Sequence, residues 1–135
     1  MLRIKRALLS TLVTVAVALT ASAGCPQSSP TRSKSNSITP EARAAALSIF
    51  AERCAVCHGV DGGGEGPSAS SLNPKPANFR SRKWQSSMTD DRIAMIIVNG
   101  GTSVGLSASM ASNPDLQGQP TVVAALVERI RKFAK

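Results

Sequence analysis

A chain of 135 residues, 42% hydrophobic and 18% charged, is enough for one globular domain and not comfortably for two. Its formal charge is +8, but Arg3, Lys5 and Arg6 lie at the extreme N-terminus, and without them 13 basic and 8 acidic residues remain, a charge of +5. That balance suits acidic protein partners or anionic lipid surfaces. It argues against nucleic acid, because there is no dense Lys/Arg stripe and no aromatic set for stacking bases. Aromatics make up 3% of the chain, with no Tyr, one Trp and three Phe. Few large flat side chains are available to fill a centre, which leaves room for another group there, although aliphatics alone can build a core.

The N-terminus reads as an export signal over residues 1–24. A basic start precedes an apolar run from Ala7 to about Leu19, followed by the small residues Ala21-Ser22-Ala23-Gly24-Cys25. The run is short for a membrane span and carries Ser10, Thr11 and Thr14; a retained transmembrane anchor is the competing reading. The stretch before Cys25 resembles a bacterial lipoprotein processing site, which would leave a lipidated Cys25 as the first mature residue. The motif usually has an aliphatic residue where Ser22 stands, and Ala21-Ser22-Ala23 also fits ordinary cleavage before Gly24. Diacylation plus a further acyl chain at Cys25 supplies the two-signal membrane hold that a single chain lacks.

Residues 26–37 contain no apolar side chain and cannot bury enough surface to fold, so residues 25–38 read as a flexible tether. The folded domain is expected over residues 39–135. Thr39-Pro40-Glu41 is a helix start: a hydroxyl cap, Pro at the first helical position and an acid in the first turn. The helix continues through Ala42 to Arg53 and runs into Cys54. Gly62-Gly63-Gly64-Glu65-Gly66-Pro67 breaks it. Loop is expected to about Ser87, with Pro74 and Pro76 excluding a central strand. A second helix starts at Thr89, buries Ile93, Ile96 and Ile97, and ends at Asn99-Gly100-Gly101. After a loop over residues 102–119, a last helix is expected from about Pro120 to the C-terminus, carrying the stripe Val122, Val123, Leu126, Ile130 and Phe133. No segment reads as a sheet strand. The fold class is all-α, with three to four helices and long loops.

Cys54-Ala55-Val56-Cys57-His58 holds the only His of the chain. Cys-x-x-Cys-His is the attachment signature of c-type haem. Thiols three residues apart on a helical turn reach the two vinyl groups along one porphyrin edge and form thioethers, while the next residue carries its imidazole under the ring towards iron. A structural zinc site wants four ligands, and only three lie close here. A thioredoxin-like Cys-x-x-Cys wants a βαβ setting and a helix start, whereas this motif falls at a helix end. The cofactor read from the residues is haem c, with iron.

The order helix, Cys-x-x-Cys-His-Gly, Gly-rich loop with Pro, long loop, helix ending in Asn-Gly, Met-bearing loop and C-terminal helix resembles the monohaem class I cytochrome c family over residues 39–135. The resemblance implies a cytochrome c-like fold closed around a covalent haem, with Cys54 and Cys57 as thioether donors and His58 as an axial iron ligand. It implies a Met in the loop before the last helix as the second axial ligand, and only Met110 lies there. Met88 and Met95 are expected in the core. By the same resemblance the backbone carbonyl of Pro67 takes the second ring N–H of His58, and Trp84 borders the haem; both also fit plain roles in loop stiffening and core packing. Arg80, Arg82 and Lys83 fit propionate partners, a docking rim or a solvated basic loop. The family crosses its first and last helices at a Gly against an aromatic residue, where this chain has Ala46 and Arg129. The axial Met is often followed by Pro or an aromatic, where this chain has Ala111 and Ser112.

The resulting expectation is an electron-transfer protein rather than an enzyme: a one-electron carrier with His/Met ligation that serves redox partners with acidic docking surfaces. It is expected on the periplasmic side of a bacterial membrane, held there through lipid at Cys25. Two alternatives stay open. One is a five-coordinate haem protein, sensor-like or peroxidase-like, that binds a small ligand. The other is a fixed electron-transfer subunit of a larger oxidoreductase.

Overall fold

The helix start read at Thr39 is present in a computed structural model of the chain, which describes residues 37–134. The expected signal, Cys25 and most of the tether lie outside the described residues. The Thr39 hydroxyl accepts the Ala42 N–H at 3.2 Å, and Pro40 opens helix α1 (Pro40–Ile49). Ile38, expected in the tether, is half-buried against the core, and its carbonyl accepts from the Arg43 guanidinium.

One long helical rod carries the cysteine motif. α1 passes into a π-helical turn, Phe50–Cys54, and then into α2 (Ala55–His58). In the wide turn the Ala55 N–H bonds the Phe50 carbonyl five residues back. A short helix α3 (Arg82–Ser87) stands inside the stretch expected to be loop, capped by the Ser81 hydroxyl on the Trp84 N–H. Its sequence, RKWQSS, has no apolar period; the packing of Trp84 against Phe79 and the bonds of Gln85 to the Phe79 and Ile130 carbonyls hold it in place. α4 (Asp90–Asn99) is capped by Thr89, and Gly100 ends it at φ 79° with its N–H on the Ile96 carbonyl. Single 3-10 turns at Ala69–Ser71, Gly101–Val104 and Pro114–Leu116 punctuate the loops, and α5 (Pro120–Arg131) closes the chain. Among the described residues there is no strand, and no helix is long and apolar enough to cross a membrane.

The core forms where α1, α4 and α5 meet. α5 contributes Val123, Leu126, Val127 and Ile130, α4 contributes Ile93 and Ile97, and Phe50, Phe79, Leu116 and Phe133 join from outside the regular helices. Each large apolar side chain buried this way contributes about 1.5–3 kcal/mol. Met88 packs against this core as expected. Met95 does not: it is 48% exposed, because Ile93, Ile96 and Ile97 take the inward face of α4 and position 95 falls opposite.

The departures at the helix crossing resolve simply. Ala46 is 1% exposed, small enough for α1 and α5 to pack closely. Arg129 stands in for the missing aromatic with its guanidinium, 4.4 Å from the Phe133 ring centre and 5.6 Å from that of Phe50. Its buried Nε has no hydrogen-bond partner. Arg43 on α1 pairs with Glu128 on α5 at 3.1 Å across the same interface.

Candidate cofactor site

A helix leaves its last four carbonyls without partners. At the end of α2 these are the carbonyls of Ala55, Val56, Cys57 and His58, and the glycine-rich loop supplies all four N–H groups. Gly59 bonds Ala55 at 2.9 Å, Ser68 bonds Val56 at 2.9 Å, Gly66 bonds Cys57 at 3.0 Å and Gly64 bonds His58 at 2.8 Å. This is why the loop needs glycine. A Cβ on Gly66 would strike the Ala55 carbonyl and stand 2.6 Å from that of Val56. Gly62 turns at φ 71°, with the Phe133 ring where its side chain would be. The loop fixes the end of the helix that carries the motif.

Cys54 and Cys57 are both half-buried free thiols. Burial pushes the Cys54 thiol up to about 11, with Arg53 pulling it down and Cys57 pushing it up. His58 is buried. Its Nδ1 lies 3.1 Å from the Ala77 carbonyl, and a carbonyl only accepts, so Nδ1 carries the proton. The neutral ring then has its lone pair on Nε2, the atom left for a metal. Burial pulls the imidazole pKa below its ordinary value, and the Ala77 bond opposes that pull. The donor set therefore fits haem c: two unpaired thiols three residues apart and an adjacent neutral imidazole with one nitrogen fixed. It does not fit zinc, since among the described residues no three His, Cys, Asp or Glu side chains converge to hold a metal ion. It does not fit a thioredoxin-like centre either, for the motif closes a helix and the described residues contain no strand.

The Ala77 bond corrects one expectation. The partner of the His58 ring is not the carbonyl of Pro67, which is exposed on the glycine-rich loop. The next loop provides it: the Phe79 N–H bonds the Gly62 carbonyl at 2.8 Å and draws residues 76–79 beneath the imidazole. Phe79 itself stacks on the His58 ring, with centres 4.3 Å apart and planes 16° apart. Trp84 leans on Phe79 at 4.9 Å, so it belongs to the surroundings of His58 through Phe79. Neither Ala77 nor Phe79 is marked by a motif; the one available signal is that Phe79 is one of only three Phe in the chain. Arg80 is committed to Asp61, at 2.8 Å.

Met110 is half-buried in the loop after α4. Its carbonyl accepts the Gly101 N–H at 2.9 Å, and its N–H bonds Ser107 at 3.1 Å. Further along, Asn113 ties the loop to α4 through Val98 and Ile97, at 2.9 and 2.8 Å. Arg53, next to Cys54, pairs with Asp115 at 2.9 Å and so links the cysteine-bearing rod to the Met110 loop. A groove of about 750 Å³ between α4 and α5, lined by Ile38, Met95, Val98 and Val127, includes none of Cys54, Cys57, His58 and Met110 and is separate from this site.

Comparison with known proteins agrees with this geometry. The family model for cytochrome c matches residues 43–127, well over half of the chain. A solved structure, the KustC0563 c-type cytochrome, is similar at 28% sequence identity with a TM-score of 0.52, over 67% of this chain and 98% of that one. No curated protein matches the chain. A Cys-x-x-Cys-His motif closing a capped helix, a neutral imidazole anchored through Nδ1 and the match to the family model have one meaning: the chain belongs to the cytochrome c family and binds covalently attached haem c for haem-based electron transfer.

Proposed function

We propose that the chain is a one-electron carrier in which Cys54 and Cys57 hold the haem by thioethers and His58 and Met110 are the two axial ligands of its iron. The haem supplies one-electron exchange between ferric and ferrous states, and the protein supplies everything that tunes it. The observation carrying the reading is the anchored His58 ring: with Nδ1 spent on Ala77, only Nε2 is left as a base. Met110 brings a soft thioether that favours the ferrous state. Phe79, stacked on the imidazole and backed by Trp84 and Phe133, shields the ring from water. With protein at both axial positions there is no open place for a substrate, which makes the chain a carrier and not an enzyme.

Partners follow from charge. The positive balance of the chain and the exposed Arg82 and Lys83 favour redox proteins with acidic docking surfaces, and association slows as salt rises. Val56 within the motif and Val60 just after it are exposed, Val60 at 77%, which offers an apolar contact. The N-terminal reading completes the proposal: export directed by residues 1–24 and a lipid at Cys25 that holds the domain at the periplasmic face of a bacterial membrane by its tether. Cys25→Ser should release the protein to the soluble periplasmic fraction; unchanged fractionation contradicts the anchor.

The deciding experiment is a redox titration of the purified holo-protein followed by its visible spectrum. Low-spin spectra in both states, with a sulfur-to-iron charge-transfer band near the red end of the ferric spectrum, are expected. High-spin features and immediate CO binding would replace the carrier by the open-site reading.

A further inference from the structure

We infer that Phe79 is a positioning residue for the axial histidine: its ring face fixes the plane of the His58 imidazole, and with it the orientation that the iron experiences. The inference rests on the reading of His58 as an iron ligand and adds a device to it.

A hydrogen bond fixes a direction, and a plane needs more. The Nδ1 bond to the Ala77 carbonyl orients one edge of the imidazole. It leaves the ring free to rock about the N–H···O line, because the second side-chain torsion of His has only broad, shallow preferences. The nearly parallel Phe79 ring, 4.3 Å away at 16°, removes that freedom by blocking the rock on one side. Phe79 can act as a fixed wall because it is itself held at several points. Its N–H is on the Gly62 carbonyl at 2.8 Å, and its carbonyl accepts from the Gln85 amide at 2.7 Å. That same amide donates to the Ile130 carbonyl on α5 at 3.0 Å. Trp84 and Phe133 back the ring, at 4.9 and 6.3 Å. The chain has only three Phe, and this one is set against its only His.

The consequence is electronic. The plane of an axial imidazole sets its π overlap with the iron d orbitals, and the spread of haem methyl shifts in the ferric protein responds to that plane together with the orientation of the second ligand, which the Phe79 variants leave in place. A wall that holds one plane gives one set of shifts.

Proton NMR of the holo-protein tests this. In the reduced, diamagnetic protein the His58 ring protons should be driven far upfield by the porphyrin ring current and should show cross-relaxation to the Phe79 ring protons. In the ferric protein Phe79→Leu should change the order or spread of the four haem methyl shifts, and Phe79→Tyr should restore the wild-type pattern. Val127→Ala, an apolar loss in the core at the separate groove between α4 and α5, should leave it nearly unchanged. Upfield His58 protons without cross-relaxation to Phe79 overturn this inference alone, and this measurement needs no variant to fold. An unaltered pattern in Phe79→Leu, or an equal change in Val127→Ala, overturns it as well. His58 ring protons at ordinary shifts overturn the ligand reading, and the inference falls with it.

Discussion

Residues 59–79, which follow His58, and residues 101–116, which carry Met110, are two long loops held in different ways. The first loop gives its N–H groups to four consecutive carbonyls of α2, returns a carbonyl to the imidazole and buries Phe79 beneath it. The second is tied to the end of α4 at Gly101, Val98 and Ile97 and plugged into the core by Leu116, which is 1% exposed. Between those ties Leu106, Ala108, Ser109, Ala111 and Ser112 are exposed. The difference teaches that the two candidate ligands do not share one scaffold. His58 sits on a helix end sealed by backbone bonds, whereas Met110 sits on a loop that is held by its own bonds to Gly101 and Ser107 and is lined with exposed side chains, where local opening costs less.

The comparison breaks most sharply at Gly66. Gly66→Ala drives a methyl into the Ala55 and Val56 carbonyls and should cost about 1–3 kcal/mol, as overpacking does. It should also lower the yield of covalent holo-protein, read by haem stain against total chain. A variant that unfolds at the wild-type denaturant midpoint would show that the loop is not a rigid seal. Next in size is Met110→Leu, a volume-conserving swap that should change stability by less than about 1.5 kcal/mol. It should still abolish the sulfur charge-transfer band and lower the reduction potential. A persistent band would remove Met110 from the ligand set. Smallest is Arg53→Ala, which cuts the Asp115 pair that links the rod to the Met110 loop. Both partners are well exposed, so the expected loss is about 0.2–1 kcal/mol. Hydrogen exchange should speed up around residues 110–116 and stay unchanged in residues 59–69; equal acceleration in both loops would erase the distinction drawn here.

The same asymmetry sets what the sequence discloses. The cysteine motif, the caps at Thr39 and Thr89, the stop at Gly100 and the stripe of α5 are local patterns, and the structure has them where they were read. The acceptor for His58 was misplaced, because any residue offers a carbonyl and only the folded path of residues 76–79 selects Ala77 over Pro67. α3 was missed for a related reason: its six residues carry no period and rely on a contact with Phe79. Phe79 gives no local sign of its role, since its partner lies 21 positions earlier in the chain. What is legible is what neighbours in sequence decide; the rest belongs to neighbours in space.

The π turn at Phe50–Cys54 has a use of its own. In an uninterrupted α-helix each residue advances the side chain by about 100°, so the face that Ala42 and Ala46 bury would dictate where the two sulfurs and the imidazole point. One slack turn uncouples the two faces. The docking of α1 and the aim of the cofactor anchor become separately adjustable, and drift at the helix crossing, such as Arg129 in place of an aromatic, need not twist the attachment out of line.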